Sequence, residues 1–160
     1  MNATGEDQDW PEESVAERLE RNWSEMLQEI RVVQTGTQIL TGFLLILPFQ
    51  GRFGELADFE RITYLVLLGF AALATVLALT PVALHRGLFR RQAKEEIVRI
   101  GNRILKAALA VIGITLVGTV LLVFSVVLGA QAGIIAGAAT LLALVAAWLV
   151  LPGAIRARRD

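Results

Sequence analysis

Residues 107–155 read AALAVIGITLVGTVLLVFSVVLGAQAGIIAGAATLLALVAAWLVLPGAI and contain no Asp, Glu, Lys or Arg. A helix needs about 20 apolar residues to cross the hydrocarbon core of a bilayer, so this run is long enough for two crossings. Residues 129–132 supply a short uncharged turn between them. The stretch therefore predicts a hairpin of two membrane spans, at about 104–128 and 133–151.

Two further apolar runs precede this hairpin. Residues 62–84 lack charged side chains, and residues 31–49 carry only Arg31 at their start. Only 19% of the 160 residues are charged, whereas a soluble domain carries about 25%. Backbone polar groups must be paired inside each span, so the spans are helical. The sequence predicts an all-α integral membrane four-helix bundle over 31–151, with its first two spans at about 31–49 and 62–84.

The remaining segments are predicted to lie in water. Residues 1–11 are polar and acidic, and we expect a disordered tail there. Residues 12–31 predict an amphipathic cytoplasmic helix that continues into the first span without a break. A cytoplasmic helical extension is expected between spans two and three, and a basic tail over 152–160. The apolar stripe of the N-terminal helix consists of Val15, Leu19, Trp23, Met26, Ile30 and Val33.

Basic residues predict the orientation of the spans. Lys and Arg near the ends of spans favour the cytoplasmic side. Residues 85–106 contain seven of them and residues 152–160 contain three, whereas the loops 50–61 and 129–132 contain two and none. We therefore expect a multi-pass protein with both termini in the cytoplasm.

The first span carries a polar face. At about 100° per residue, its members share one side of the helix. They can join spans by hydrogen bonds, worth about 0.6 kcal/mol each on average. They can alternatively line a hydrated path or a small-solute site. The four residues are Gln34, Thr37, Gln38 and Thr41.

Gly133 and Gly137 form a small-x-x-x-small pair in the fourth predicted span. Glycine lets the backbones of two membrane helices approach closely. We expect this pair to pack against span three, and a dimer face is the alternative.

Two segments of opposite charge flank the membrane on its predicted cytoplasmic side. Residues 12–31 contain six acids and three bases, and residues 86–106 contain seven bases and two acids. The two segments can pack together, within one chain or between chains. The basic one can instead bind anionic lipid headgroups, or only fix the topology. The sequence leaves these three interpretations open.

No catalytic set of residues can be assembled. Cysteine is absent, and His85 is the one histidine, at the predicted cytoplasmic end of span two. A Ser–His–acid set, a metal-ligand cluster and a glycine-rich phosphate loop are all missing. We expect no enzyme, no metal and no cofactor. Nucleic-acid binding is not expected either, because the basic segment lacks interleaved aromatic residues.

Four short segments stand out in the first two thirds of the chain: MLQEIRVVQTGTQIL at 26–40, LPFQGRF at 47–53, TPVALHR at 80–86 and FRR at 89–91. Together they resemble a family of small actinobacterial four-span membrane proteins of unknown function. The resemblance covers about residues 20–110 and implies a bacterial plasma membrane. Some members are labelled sodium:proton antiporters, but these spans lack the buried charged residue that such transport usually requires. Besides Gln34 and Gln38, the matching segments contain four interfacial candidates: Gln50, Arg52, His85 and Arg86.

The sequence favours an oligomeric interaction or scaffold component of the membrane. The alternative is a small channel, or a cation or proton transporter, that uses the polar face of the first span. The expected partners are the lipid bilayer and its anionic headgroups, and a second copy of the chain is a further candidate.

Overall fold

The computed structural model describes residues 14–88 and 94–158. Over these residues the chain is helical and has no strand, so the predicted all-α fold is confirmed. Two short 3₁₀ turns, Leu47–Phe49 and Gly51–Glu55, join the first two helices, and a π-helical turn, Ala146–Val150, joins the last two. The α-helices are α1 (Val15–Ile46), α2 (Asp58–Leu88), α3 (Lys94–Leu128), α4 (Ala130–Val145) and α5 (Leu151–Arg156).

Four helical segments in the described part of the chain are long and apolar enough to cross a membrane. The mean hydropathy of the first is 1.5, and that of the others lies between 2.4 and 2.7. The lower value reflects the water-facing half of α1. These segments agree with the four predicted spans, and they are Glu17–Phe49, Asp58–Leu84, Val98–Leu128 and Ala130–Arg156.

Helix α1 begins with a capping box at Ser14. The Glu17 N–H donates to Ser14 Oγ at 3.3 Å, and Glu17 Oε2 accepts from the Ser14 N–H at 2.8 Å. From there α1 is unbroken for 32 residues, or about 48 Å, which exceeds a hydrocarbon core of about 30 Å. One rigid helix therefore contains both the amphipathic stripe and the first span. The predicted start of this helix at residue 12 lies outside the described residues.

Two apolar clusters contributed by α1, α2 and α3 form the core. On each helix, one small buried side chain separates the two clusters: Thr37, Ala74 or Thr115. Small side chains let helices pack closely, and these three lie in one layer between the two clusters. The first cluster contains Met26, Ile30, Val33, Ala78, Leu105 and Ala108. The second contains Leu44, Tyr64, Leu67, Ala71 and Leu122.

Helix α4 lies outside this core. It packs against α3, and in the described ranges it contacts neither α1 nor α2. Gly129 alone forms the turn, shorter than the predicted 129–132, with a φ of 96° that glycine adopts readily. Such a tight turn returns the chain along α3. The four helices are therefore a three-helix core with α4 attached to α3, rather than a bundle in which every helix borders two others.

Two prolines lie within α-helices. α2 continues through Pro81 to Leu88, and its candidate span ends at Leu84, as the sequence predicts. Helical structure also continues through Pro152 and Gly153 to Arg156, beyond the predicted end at residue 151. Pro152 lies in the first turn of α5, where a missing N–H costs little. A hydrocarbon environment would favour such continuation, because unpaired backbone groups are costly there.

The contact between α2 and α3 can be tested at two glycines. A β-carbon at Gly118 would overlap the Leu67 side chain, whereas one at Gly69 would have no atom within 4 Å. We expect Gly118→Leu to destabilise the protein by about 1–3 kcal/mol. Gly69→Leu, the matched control, is expected to leave stability nearly unchanged. Unfolding in mixed micelles of increasing SDS content measures both, and equal stabilities would contradict this packing.

Candidate functional site

The four polar residues of the first span lie in different environments. Thr37 is buried at 2% exposure, Gln34 and Thr41 are half-buried, and Gln38 is exposed. The polar face is therefore turned partly toward the core and partly away from it. Thr37 lies on the buried side of this face, and the carboxamide of Gln38 lies on the exposed side.

The threonine hydroxyls are paired within α1. Thr37 Oγ1 donates to the Val33 carbonyl at 2.8 Å, and Thr41 Oγ1 donates to the Thr37 carbonyl at 2.7 Å. Such bonds satisfy a hydroxyl without help from a neighbouring helix. These two side chains pack between helices but do not donate hydrogen bonds across them.

The interior of one protomer offers little polar lining. Within the described ranges, the buried polar side chains are Thr37, Thr115 and Ser125. The Thr115 hydroxyl is also paired within its own helix, with the Val111 carbonyl at 2.7 Å. Apolar clusters fill the space above and below this layer. The described residues therefore form no continuous polar path along the axis of α1–α3.

Gln38 is the exposed residue among the four that form the polar face. At 1.5 Å per residue, it lies about 10 Å beyond Arg31 and about 16 Å before Phe49, near the middle of the span. Among the described residues its carboxamide has no hydrogen-bond partner. A carboxamide in hydrocarbon without a partner is costly. The carboxamide of Gln34 has no partner among the described residues either, but it is half-buried, so Gln38 is the more exposed of the two.

Two small or internally satisfied residues accompany Gln38 on the outside of α1. Thr35 precedes it by three residues and Gly42 follows it by four, so all three share one side of the helix. Both neighbours are exposed, and the Thr35 hydroxyl donates to the Arg31 carbonyl at 2.9 Å. We call Thr35, Gln38 and Gly42 the outer face of α1.

The interfacial candidates do not form one site. Gln50 and Arg52 lie in the connection before α2 and line a pocket there, whereas His85 and the exposed Arg86 belong to its last turn. The 31 residues of α2 are about 46 Å long, so these pairs lie at opposite ends of the protein. The side-chain placement of His85 lies outside the described part of the chain.

Gly133 and Gly137 face α3 of the same chain. A β-carbon at Gly133 would overlap the Ser125 hydroxyl and lie 2.6 Å from the Leu121 carbonyl. At Gly137 it would lie 3.1 Å from Leu121 Cβ. Glycine is thus required at Gly133 for the close approach of α4 to α3, and the pair is not available as a free surface.

The water-facing end of α1 packs against α3. Trp23 and Val98 lie against the cluster that contains Met26 and Leu105, so the acidic and basic segments meet within one chain. Beside them is an open pocket of about 210 Å³. Its polar lining residues are Asn22, Glu25, Glu29 and Asn102. In the described ranges no group of acidic or histidine side chains could hold a metal ion.

Sequence reasoning did not find either pocket. Asn22 and Asn102 line one pocket from two helices, and Phe53 contacts Tyr64 at the other end of the protein. Neither pair belongs to a shared periodic pattern or motif. No pattern in a single sequence signals such a pair, because the contact depends on how the helices pack.

The comparisons with known proteins identify a family but no activity. A family of unknown function, DUF6328, matches residues 12–152. No curated protein and no solved structure matches the chain.

The pairing of Thr37 within its own helix predicts that its hydroxyl is dispensable. Thr37→Val keeps the shape and loses a bond that does not join helices, so stability should change by less than about 1 kcal/mol. Thr37→Leu is the contrasting variant, because extra volume in the buried middle layer should cost about 1–3 kcal/mol. SDS-induced unfolding compares the two. A larger loss with valine than with leucine would contradict the packing role.

Proposed function

Because the chain belongs to this family of unknown function, we propose its role from the structure alone. We infer that it is a membrane scaffold component that assembles with a second copy of itself through the outer face of α1. The single observation that supports this function is the exposed carboxamide of Gln38 near the middle of the first span, which has no hydrogen-bond partner among the described residues.

A second copy suits this carboxamide. The side chain of Gln38 carries two donors and one acceptor, so two such groups can bond to each other about a two-fold axis. Gly42 lies one turn away and is open, with no atom within 4 Å of its β position. A small residue beside a polar one lets two membrane helices approach closely enough to form that bond.

The amphipathic half of α1 supports the same role. It is held against α3 by Trp23 and Met26, so it extends the rigid helix beyond the membrane. Glu25 and Glu29 are exposed beside this contact and keep the surface of the arm acidic. A pair of α1 helices would thus project two rigid, charged arms from the membrane, which is a suitable arrangement for a scaffold.

The closed core weighs against the alternative of a channel or transporter within one protomer. The hydroxyls of Thr37 and Thr41 are already bonded to their own helix. Gln38 faces away from α2 and α3, so it cannot supply the missing polar lining. We propose a non-enzymatic role without ion transport.

We further propose that the protein lies in a bacterial plasma membrane with both termini in the cytoplasm. The unequal distribution of Lys and Arg supports this orientation, with seven in residues 85–106 and two in residues 50–61. The basic segment would then face anionic lipid headgroups as well as the acidic half of α1.

Self-association can be measured with two separately labelled pools of protein in lipid vesicles. Gln38→Leu should weaken the energy transfer between copies, raising the dissociation constant about 3- to 20-fold. Gln28→Leu is the matched control, since it makes the same exchange on the water-facing half of the same helix. Equal association of the two variants would refute the proposal.

A flux assay on the same vesicles distinguishes the proposed scaffold from a channel or transporter. We expect no proton or sodium leak above that of empty vesicles, with or without Gln38. A leak that disappears in Gln38→Leu while the protein stays folded would favour the channel or transporter instead.

Reporter fusions test the orientation. We expect a reporter at residue 55 to read outside the cytoplasm and one at residue 95 to read inside, because basic residues are retained on the cytoplasmic side. A cytoplasmic signal from residue 55 would reverse the proposed topology.

A further inference from the structure

A pocket of about 180 Å³ lies where the connection between α1 and α2 meets the far end of α3. It is independent of the outer face of α1. The connection supplies Leu47, Phe53 and Leu56, α2 supplies Tyr64, and α3 supplies Leu122 and Val126. The lining is almost wholly apolar. An apolar cavity of about 150 Å³ accepts a molecule the size of benzene, so this one has room for a segment of about six carbons.

The walls of the pocket are held in place. The rings of Phe53 and Tyr64 meet edge to face, with centroids 5.1 Å apart and an interplanar angle of 81°. The Phe53 N–H donates to the Gln50 carbonyl at 2.9 Å, which fixes the turn that precedes Phe53. A pocket formed by buried helix residues and a bonded turn is preorganised for a ligand, which lowers the entropic cost of binding.

The opening of this pocket faces the membrane. Val123 and Val127 line it from α3, and both are exposed although they lie within a candidate span. Phe49, next to the connection, is 85% exposed. Apolar side chains exposed at this level are expected to contact lipid tails. A hydrocarbon chain could therefore enter the pocket from the bilayer without crossing water.

Arg52 lines the same pocket and is exposed. In the part of the chain that the structure describes, its guanidinium has no ion pair and no side-chain hydrogen bond. A guanidinium offers planar paired donors that match the oxygens of a phosphate. Residues 50–61, which comprise the end of the connection and the first turn of α2, are acidic overall, with Glu55, Asp58 and Glu60 against Arg52 and Arg61. Attraction of an anion here would therefore be local to the guanidinium rather than spread over the loop.

We propose that this pocket binds one phospholipid of the bilayer, with an acyl chain between α2 and α3 and the phosphate at Arg52. The apolar lining would contact the acyl chain, and the guanidinium of Arg52 would contact the phosphate of the headgroup. The bound lipid would brace the connection between α1 and α2 against the end of α3, where the second core cluster begins.

The headgroup contact is tested by native mass spectrometry of protein released from vesicles that contain phosphatidylglycerol. Arg52→Gln should reduce the retained lipid about three- to fivefold, because one exposed charge-assisted contact is lost. Arg61→Gln is the matched control from the same segment, and it does not line the pocket. Equal retention by the two variants would overturn the role of Arg52. Displacement of the lipid by millimolar inorganic phosphate would show a site for free anions and overturn the lipid assignment.

The acyl chain is tested with a phospholipid that carries a photoreactive diazirine in its tail. Crosslinks in the wild-type protein are expected in residues 122–127. Val123→Trp should abolish them by filling the opening, whereas Leu116→Trp, an exposed position on α3 outside the pocket, should leave them intact. Thermal unfolding confirms that both variants fold. Crosslinks spread evenly along α3, or unchanged in Val123→Trp, would refute the binding of a chain in the pocket.

Discussion

The close approach of α1, α2 and α3 around one layer of small side chains is the constraint on which the rest of the structure depends. Thr37, Ala74 and Thr115 are small and buried at less than 3% exposure, so α1, α2 and α3 meet there. Helices in lipid gain little from hiding apolar surface, and close packing must hold them together. The hydroxyls of Thr37 and Thr115 donate to carbonyls of their own helices. These small side chains can therefore be buried without a hydrogen-bond partner on another helix.

Because α1, α2 and α3 pack on one another, α4 and the outer face of α1 lie outside their contact. Gly129 turns α4 back along α3, where Gly133 allows close packing, and α4 meets no other helix in the described residues. On α1, the rotation that buries Thr37 turns Gln38 outward, because successive residues are about 100° apart. The membrane tolerates the apolar surface of α4 at no cost. It does not tolerate the carboxamide of Gln38 equally well, which is why we assign the assembly surface to α1.

The core formed by α1, α2 and α3 has different surroundings at its two ends. At one end, Trp23 and Met26 continue the core into water, where apolar contacts are driven by the hydrophobic effect. At the other end, the core opens into the pocket beside Tyr64 and Arg52. A single unbroken α1 therefore connects the amphipathic arm at one end of the protein with the proposed lipid site at the other.

The sequence by itself determined the all-helical class and the number of spans, because uncharged runs such as 107–155 are decided by hydropathy alone. It also identified the polar residues of α1, since helical period places Gln34 and Gln38 on one face. Only the tertiary structure decided which part of that face is buried, that α4 borders α3 alone, and that Arg52 lies at an apolar pocket. These outcomes depend on how side chains from distant parts of the chain fit together, and no local pattern records that fit.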